Sequence, residues 1–569
     1  MNFRRARTGK WRAHEIAPDE IFLDSSNLPG HESSQFEGRV APPFSRRSIA
    51  SVGVVFVLVA LLFGGRAFNL QVVQGASLAD VSRNNTLQRS IIFATRGVMY
   101  DRTGRELAWN EVVSDLNAST TPFALRHYTT LPGLSHIIGF IQYPRADSSG
   151  SWWRESYTPV SGAELAFDDV LAGTNGSTMV ERNARGAVER EDIVVPPQNG
   201  RALTLSVDAL VQSKLYELLS THAREQGFAG GAAVVMDVET GQLIALTSFP
   251  EYDNQAFTDG DSSTIRAQTS DASTPLLDRA ISGLYAPGSI VKPIFAAAAL
   301  KENIISPDKQ ILSTGAISVP NPYDPEHPSL FRDWTVHGLV DMRTAIAVSS
   351  DEYFYTIGGG YGTQPGLGIA RIDEYAKKFG LSSPTGIALA GERSGVIPTP
   401  EWKLETFGAD DPWRIGDTYH TAIGQYGFLL TPIQAVRFIA AIANGGKLLT
   451  PQLLASSTSE FTQVDIPDAN LQIVREGMRL AVTSTRSDAT VKFLNIPQMQ
   501  IAAKTGTAQL GVHNEWMNSW SVGFWPSDHP KYAYAVVLEH APAGTLSGAA
   551  PGMLPFFQWL ASTHPEYAQ

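Results

Sequence analysis

The fold can first be inferred from residues 285–300, which read YAPGSIVKPIFAAAAL. Ala286-Pro287-Gly288 is a turn signal, and the apolar, alanine-rich run from Ile290 to Leu300 predicts a helix that follows it. At helical spacing Ser289 and Lys292 lie on one face, so the amine can reach the hydroxyl. A serine hydroxyl is a weak nucleophile that needs a nearby base, and this pair provides both groups.

Two more strings follow in the chain, Ser349-Ser350-Asp351 and Lys504-Thr505-Gly506-Thr507. The first places a hydroxyl close to a carboxylate. The second follows Met499–Ala503, a predicted strand whose small last residues allow another chain to approach. Each string alone is weak evidence, but their order matches a known motif set for acyl transfer through a serine. The sequence therefore predicts that chemistry.

The pattern around these strings predicts the fold class. Antiparallel strands with helices around them form an α+β sheet domain. The predicted strands are residues 203–205, 231–237, 243–248, 501–507 and 532–539, with a hairpin turn at 239–242. A further helix is predicted for residues 432–444, and a last amphipathic stretch covers residues 553–562.

Length and composition limit the possible functions. A chain of 569 residues is long enough for two or three domains. The formal net charge of −12 gives no indication of nucleic-acid binding. Because the chain has no cysteine, disulfides, thiolate metal sites and cysteine nucleophiles are excluded.

One segment predicts a membrane anchor. Residues 48–65 carry no charge and include eleven strongly apolar side chains. As a helix these 18 residues would span about 27 Å, close to the thickness of the hydrocarbon core. A buried core helix and a cleaved signal peptide are the alternatives. The length of the run and of the leader before it favour a single-pass anchor.

Basic residues predict the orientation of that anchor. Eight precede the segment, and Arg66 is the one close positive charge after it. The positive-inside rule therefore places the N-terminus in the cytoplasm and the catalytic part outside the cytoplasmic (inner) membrane. The predicted domains are a cytoplasmic tail (1–47), the transmembrane anchor (48–65), a non-catalytic pedestal, or dimerisation-like, domain (66–200) and a catalytic domain (201–569).

Motifs along most of the chain resemble those of the class B penicillin-binding proteins. Residues 96–104 read RGVMYDRTG and are similar to the family's R-G-x-I-x-D-R-x-G signature, with Met99 in place of isoleucine. Residues 162–165 are similar to its G-x-E-x element. The aspartate at the third position of Ser349-Ser350-Asp351, with residues 331–334, 392–399 and 423–434, resembles the elongation-type members, penicillin-binding protein 2.

The resemblance implies a fold, an activity and partners. The implied fold of the catalytic domain is an antiparallel sheet flanked by helices, similar to that of the serine β-lactamases. The resemblance implies a peptidoglycan D,D-transpeptidase of cell-wall elongation, with stem peptides and lipid-linked precursor as substrates, β-lactams as covalent inhibitors and no cofactor. It also implies a SEDS-family glycosyltransferase in the membrane as partner. Some members bind zinc through Asp, His and Cys. Here Asp333 and His337 could serve, but Ser350 replaces the cysteine and its hydroxyl is a poor ligand, so zinc is disfavoured. Tyr426 also interrupts the family's G-Q-G.

The motif residues predict a mechanism. Ser289 attacks the carbonyl between two D-alanines, a neutral Lys292 is the base, and Ser349 passes the proton to the leaving amine. Asp351 orients Lys292 or the substrate amide. Lys504 and Thr505 hold the terminal carboxylate. The remaining predicted groups lie on the backbone: Gly506 and Thr507 bind the substrate, and the N–H groups of Ser289 and Thr507 form the oxyanion hole.

Two other functions remain open on sequence. A membrane-anchored serine β-lactamase or D,D-carboxypeptidase would transfer the acyl group to water. Hydrolysis of a soluble drug does not need an anchor and a pedestal. The other is a non-catalytic β-lactam sensor, or a scaffold of the division or elongation machinery. The intact Ser289, Lys292 and Lys504 argue against it, as do the single span and short tail.

Overall fold

The computed structural model describes residues 46–84, 88–111, 121–182, 188–321, 324, 326–456 and 459–568. The chain divides into two compact units. One contains residues 1–88 and 180–191, and the other contains residues 89–179 and 192–569. The tail predicted for residues 1–47 lies almost entirely outside the described residues.

The α-helices within the described residues are α1 Arg46–Phe68, α2 Gly75–Asn84, α3 Ser135–Ile138, α4 Gly162–Ala166, α5 Asp168–Leu171, α6 Ala209–Gln226, α7 Asn254–Asp259, α8 Ser262–Thr269, α9 Lys292–Lys301, α10 Met342–Val348, α11 Asp351–Gly359, α12 Ile369–Lys378, α13 Pro400–Phe407, α14 Ile415–Ala422, α15 Pro432–Ala443, α16 Asp468–Thr483 and α17 Ala549–Thr563.

The strands in the same part of the chain are β1 Gln88–Ile92, β2 Met99–Tyr100, β3 Glu106–Glu111, β4 Leu125–Tyr128, β5 Ile141–Gln142, β6 Arg145–Ala146, β7 Trp152–Arg154, β8 Thr158–Pro159, β9 Gly176–Arg182, β10 Val188–Val195, β11 Leu203–Thr204, β12 Gly230–Asp237, β13 Leu243–Phe249, β14 Ile311–Ser313, β15 Ala316–Val319, β16 Ser329–Arg332, β17 Gly338–Val340, β18 Lys447–Leu449, β19 Phe461–Gln463, β20 Ala502–Leu510, β21 Trp516–Trp525 and β22 Tyr532–Pro542.

The first unit contains the apolar helix. α1 continues into a π-helical turn, Asn69–Val73. The 25 residues Ile49–Val73 have a mean hydropathy of 2.2 in their most apolar window, and none of that window is buried against protein. A helix of this length and composition can cross a membrane. The observed helix begins two residues before the predicted anchor and ends three residues after it.

The second unit is built around one five-stranded antiparallel sheet with strand order β13-β12-β22-β21-β20. Successive side chains of a strand point to opposite faces of the sheet. Along β12, Val234 and Met236 therefore pack in one apolar cluster, while Ala233 and Val235 pack in another. Both faces are buried, which makes this sheet the centre of the core.

Helices cover each face of the sheet. α6 and α17 pack on one side, through residues such as Leu215 and Phe557. α9 and α15 pack on the other side, through residues such as Ile294 and Phe438. Every residue of α9 from Lys292 to Leu300 is buried. A helix that is apolar all round is typical of a core position, so the serine turn at its start has a rigid support.

The pedestal part of this unit contains an ion network centred on a fully buried glutamate. Arg96 donates to Glu164 at 2.8 Å, and Arg126 donates to the other oxygen of the same carboxylate at 2.8 Å. Arg96 also pairs with Asp168 at 2.7 Å. Buried charges are tolerated when they are paired in this way. The arginine of the R-G-x-I-x-D-R-x-G signature thus contacts the glutamate of the G-x-E-x element.

The predicted α+β fold class is confirmed, with small shifts of boundaries. Residues 499–501 were predicted as strand, but β20 begins at Ala502 and Gln500 has a positive φ of 47°. Ile290 and Val291 were predicted as α-helix, but they lie in a 3-10 turn, Gly288–Val291. The predicted domain limits at residues 47, 65 and 200 remain predictions.

Candidate active site

A cleft of about 1120 Å³ lies beside β20 and the start of α9. The predicted catalytic residues Ser289, Ser349 and Asp351 line it. Its wall also contains Thr505, Gly506 and Thr507 from β20. Residues from three distant parts of the chain, all named by the sequence motifs, therefore meet in one cavity.

The turn that carries Ser289 is held by close backbone contacts. Gly288 has a φ of +55°, which favours glycine, and its N–H donates to the Gly424 carbonyl at 2.9 Å. A Cβ on Gly506 would lie 2.6 Å from the Pro287 carbonyl oxygen. Glycine at this point of β20 therefore lets the strand approach the turn that carries Ser289.

A chain of hydrogen bonds joins both lysines through Ser349. Lys292 Nζ lies 2.8 Å from the Ser349 carbonyl oxygen and 3.3 Å from its Oγ. Lys504 Nζ lies 2.7 Å from the same Oγ and 2.9 Å from the Thr505 carbonyl oxygen. Both lysine side chains are completely buried. The Ser349 hydroxyl is thus placed to exchange protons with either amine.

The two lysines differ in their electrostatic surroundings. Lys292 forms an ion pair with Asp351 at 2.6 Å. For Lys504, burial and then the nearby charge of Lys292 lower the pKa well below its usual value, and Asp351 only partly offsets them. The Asp351 carboxylate therefore pairs directly with Lys292. Lys504 has no carboxylate bonded to it among the described residues.

The backbone at Ser349 points its side chain into the cleft region. Ser349 ends α10 with a φ of +59°, an uncommon conformation for a serine. Ser350 then caps α11, since its Oγ accepts from the Tyr353 N–H at 3.2 Å. This sharp connection between two helices puts Ser349 and Asp351 on the side of Lys292.

The K-T-G strand is an edge of the sheet. β20 pairs with β21 on one side, where Lys504 faces Val522 and Thr507 faces Ser519. The strand order ends at β20 within the described residues. An edge strand leaves N–H and C=O groups free to pair with an extended peptide. The Thr507 side chain is exposed, and the Thr505 side chain is half-buried.

Asp333 and His337 lie together, but as a charge network. His337 Nε2 is 3.5 Å from Asp333, and its Nδ1 is 2.8 Å from Asp488. Burial opposes the charge of Asp333, but hydrogen bonds from His337, the Glu352 N–H and Ser350 outweigh it, and its pKa falls to about 2. Burial likewise opposes the charge of His337, yet the two aspartates raise its pKa.

These residues do not fit a zinc ion. Ser350 donates its hydroxyl proton to Asp333 at 2.8 Å, which uses the hydroxyl that stands in the place of the family's cysteine. His337 is already bonded to Asp488 through its other nitrogen. Asp333 and His337 are two donors, whereas a zinc site takes three or four. Among the described residues, no group of three His, Cys, Asp or Glu side chains could hold a metal.

The loop with the departure from G-Q-G has a defined shape. Tyr426 adopts a φ of +65°, between Gly424 and Gly427 with φ of +77° and +80°. Its ring packs edge-on against Trp402 and Trp413. Tyr426 also lines the cleft. The tyrosine is therefore tolerated because an aromatic cluster compensates for its unusual backbone.

Two residues near the site were missed by sequence reasoning. Asp488 belongs to the His337 network, and His420 lines the cleft. Neither belongs to a motif, and both come to the site through the folding of distant segments. No sequence signal could have identified them.

Comparisons with known proteins agree with this geometry. The family described as the penicillin binding protein transpeptidase domain matches residues 231–556, and the penicillin-binding protein dimerisation domain matches residues 117–205. The peptidoglycan D,D-transpeptidase MrdA of Haemophilus influenzae is 28% identical, over 92% of this chain and 93% of the relative. MrdA of Escherichia coli K12 is 29% identical, over 89% and 92%.

Solved structures are similar as well. PBP2 of Helicobacter pylori, in complex with MreC, superposes with a TM-score of 0.68 at 25% identity, covering 84% of this chain and 99% of the other. A chain from a peptidoglycan synthase complex that coordinates polymerization and crosslinking has a TM-score of 0.68 at 25% identity, covering 90% and 97%.

Proposed function

The chain belongs to the penicillin-binding protein transpeptidase family, and on that premise we propose that Ser289 is the nucleophile through which it crosslinks stem peptides. It is a peptidoglycan D,D-transpeptidase, the activity by which both relatives are named. The observation that supports the serine mechanism is the hydrogen-bonded chain Lys292–Ser349–Lys504, whose middle residue, Ser349, lines the same cleft as Ser289.

In the acylation step Ser289 Oγ attacks the carbonyl carbon of the D-alanyl-D-alanine bond. Lys292 reacts in its neutral form: it takes the hydroxyl proton, and Asp351 at 2.6 Å stabilises the ammonium that results. Ser349, bonded to both lysines, passes a proton to the departing amine. Backbone N–H groups of Ser289 and Thr507 stabilise the oxyanion, each contributing about 3–4 kcal/mol to the transition state.

Lys504 and Thr505 bind the terminal carboxylate of the donor peptide. The carboxylate provides the counter-charge that the buried Lys504 lacks, so substrate binding favours the charged form of this lysine. A charge-assisted hydrogen bond then forms near the start of β20. A β-lactam presents a similar carboxylate, and its ring opens on Ser289 to give a slow-clearing adduct.

The cellular setting belongs to the same proposal. The apolar helix α1 anchors the chain in the cytoplasmic membrane, with the N-terminus inside and the transpeptidase outside. The role is cell-wall elongation. A SEDS-family glycosyltransferase supplies the glycan strands, which is consistent with the similarity to a chain of a complex that joins polymerization to crosslinking.

The mechanism can be tested by labelling the full-length protein with a fluorescent penicillin and following the covalent band over time. We expect a stable band that is absent from Ser289→Ala. Ser562→Ala is a matched control, because Ser562 is exposed near the C-terminus and does not line the cleft.

Each of the other outcomes of this labelling experiment would contradict a different part of the proposed function. A band that clears within seconds would identify a hydrolase that transfers the acyl group to water. The absence of a band from a folded sample would indicate a non-catalytic protein. Labelling that survives in Ser289→Ala would show that another residue is the nucleophile.

A further inference from the structure

One histidine of the cleft has no role in the acylation step. His420 lies in the last turn of α14 and lines the same cavity as Ser289 and Asp351. Its ring is half-buried between aromatic side chains, with ring centroids 5.5 Å from Phe331 and 6.4 Å from Tyr355. An imidazole that borders a catalytic cleft is a candidate for proton transfer.

The backbone ties His420 to the nucleophile turn. The His420 carbonyl accepts from the Gln425 N–H at 2.9 Å, which closes the turn that contains Gly424. The Gly424 carbonyl in turn accepts from the Gly288 N–H at 2.9 Å. Gly288 directly precedes Ser289. The backbone segments that carry the imidazole and the reacting hydroxyl are therefore joined by one chain of hydrogen bonds.

The surroundings keep this imidazole neutral. Burial lowers the pKa of His420, and the charges of Asp417 and Asp351 only partly oppose that effect. Its aromatic neighbour Tyr355 also stays protonated, because burial and then Asp351 raise its pKa. At neutral pH His420 is thus an uncharged imidazole at the cleft wall, the form that can accept a proton.

The reaction that follows acylation needs such an acceptor. A primary amine of a second stem peptide arrives mostly as an ammonium ion at neutral pH, and an ammonium has no lone pair for attack. Two protons must leave its nitrogen before the new amide is complete. Lys292 and Ser349 can return one of them to Ser289 Oγ, which leaves one proton to be removed.

We propose that His420 takes this proton from the acceptor ammonium, so that the neutral amine attacks the acyl-enzyme. The nitrogen lone pair forms the C–N bond, the bond from the carbonyl carbon to Ser289 Oγ breaks, and the second amine proton reaches that Oγ through Lys292 and Ser349. His420 releases its proton to solvent. This step rests on the proposed acyl-serine function. In it, His420 is the group that favours attack by an amine over attack by water.

The test uses the full-length protein in detergent, an N-acyl-D-alanyl thioester as donor and D-alanine as acceptor amine. The measured quantity is the ratio of aminolysis to hydrolysis product between pH 6 and pH 10. The variants are His420→Gln, which keeps a polar side chain without a base, and His420→Ala with and without added imidazole. His513→Gln is the control, because His513 is exposed and does not line the cleft.

In the wild type and the control, the ratio of aminolysis to hydrolysis should change little between pH 7 and pH 9. His420 activates the ammonium form of the acceptor, and any ammonium lost as the pH rises is replaced by free amine, which can attack without a base. His420→Gln should lower the ratio at pH 7 by about 100-fold, within the usual range for general base catalysis. The ratio in that variant should then rise about tenfold per pH unit, as the free amine does. Imidazole should restore the His420→Ala variant.

Penicillin labelling separates this proposal from the function on which it rests. Labelling of His420→Gln within about twofold of wild type, with a lowered aminolysis ratio, supports the assignment. An unchanged ratio and pH profile would overturn it. Loss of labelling in His420→Gln would also overturn it, because the imidazole would then act in acylation or folding. Absence of labelling in the wild type would instead contradict the acyl-serine function.

Discussion

Lys504 is a single residue whose burial lowers the stability of the fold while it places an amine at the site. Its amine is completely buried beside Lys292 and its pKa lies well below the usual 10.5. Folding therefore disfavours the charged form of this amine, and the resulting cost to stability is present below pH 10.5 and declines as the pH rises toward that value.

We expect Lys504→Met to raise the free energy of unfolding at pH 7 by about 1–3 kcal/mol, because the methionine avoids that cost in a similar volume. The same variant should lose penicillin labelling. Denaturant unfolding at pH 7 measures the first effect and gel fluorescence the second. A destabilised Lys504→Met would mean that the bonds of Lys504 to Ser349 and Thr505 outweigh the cost of burial.

The His337 network predicts a pH-dependent stability. The pKa of His337 is raised, so its contribution is present below about pH 6.5 and is lost as the pH rises through the raised value. The pKa values of Asp333 and Asp488 are lowered to about 2, so their contributions are present above pH 3.8 and are lost below it. The network therefore stabilises most between about pH 4 and pH 6.5.

We expect His337→Gln to lower the Tm by several degrees at pH 5.5, and by much less at pH 10. His327→Gln is the matched control, since His327 also pairs with an aspartate but is 80% exposed. Thermal melts of both variants across this range provide the measurement. An equal loss for His337→Gln at both pH values would show that packing, and not charge, is what His337 contributes.

Single residues differed in how well they could be predicted. Ser289, Lys292, Ser349 and Lys504 were found because their local motifs have fixed spacing, and the structure places them around one cleft. Their chemical roles remain predictions. Asp488 and His420 could not be found, because their positions depend on how segments that are far apart in sequence pack together.

At the scale of elements, the site depends on how closely three backbones approach. Gly424 has a φ of +77°, and a Cβ there would lie 2.2 Å from the Gly288 carbonyl oxygen. The turn that carries Ser289 would have to move to accept a side chain. Since a displacement of about 1 Å can cost about 100-fold in rate, geometry alone should suppress acylation.

We therefore expect Gly424→Ala to slow penicillin acylation about 100-fold while the protein stays folded. Gly408→Ala is the control, because Gly408 has a similar φ of +87° but no atom within 4 Å of the added Cβ. It carries the backbone strain without the clash. Equal acylation rates in the two variants would show that the contact between Gly424 and Gly288 does not position the nucleophile.

Most elements of the central sheet were predictable, and one was not. The limits predicted for β12, β13 and β22 differ from the observed ones by up to three residues, because turns and apolar runs delimit these strands. β21 was not predicted. All its residues after Trp516 are buried, so it lacks the polar–apolar alternation that identifies a strand with one exposed face.

At the scale of the whole molecule, the chain has an apolar helix at one end and a transpeptidase at the other. The presence of both a dimerisation domain and a transpeptidase domain could be predicted in part, because motifs similar to those of the penicillin-binding proteins occur in both matched regions. The five-residue extension of α1 as a π-helix could not be foreseen, since its sequence, NLQVV, contains no signal that separates it from an α-helix.

The proposed topology can be tested with single cysteines, because the natural chain has none. We expect Ser149→Cys, on an exposed turn of the pedestal, to react with a membrane-impermeant maleimide in intact spheroplasts. Ser25→Cys in the N-terminal tail should react only after the membrane is opened. Labelling of Ser25→Cys in intact spheroplasts would show that the N-terminus lies outside, opposite to the proposed orientation.

The buried lysine pair also has an evolutionary consequence. Both amines lie in the interior, where most substitutions that favour folding would replace a charge with an apolar group. Selection for activity must keep removing such variants. A protein under selection by antibiotics would then start with less stability to lose. Substitutions that reshape the cleft wall should therefore often arise together with stabilising changes elsewhere in the chain.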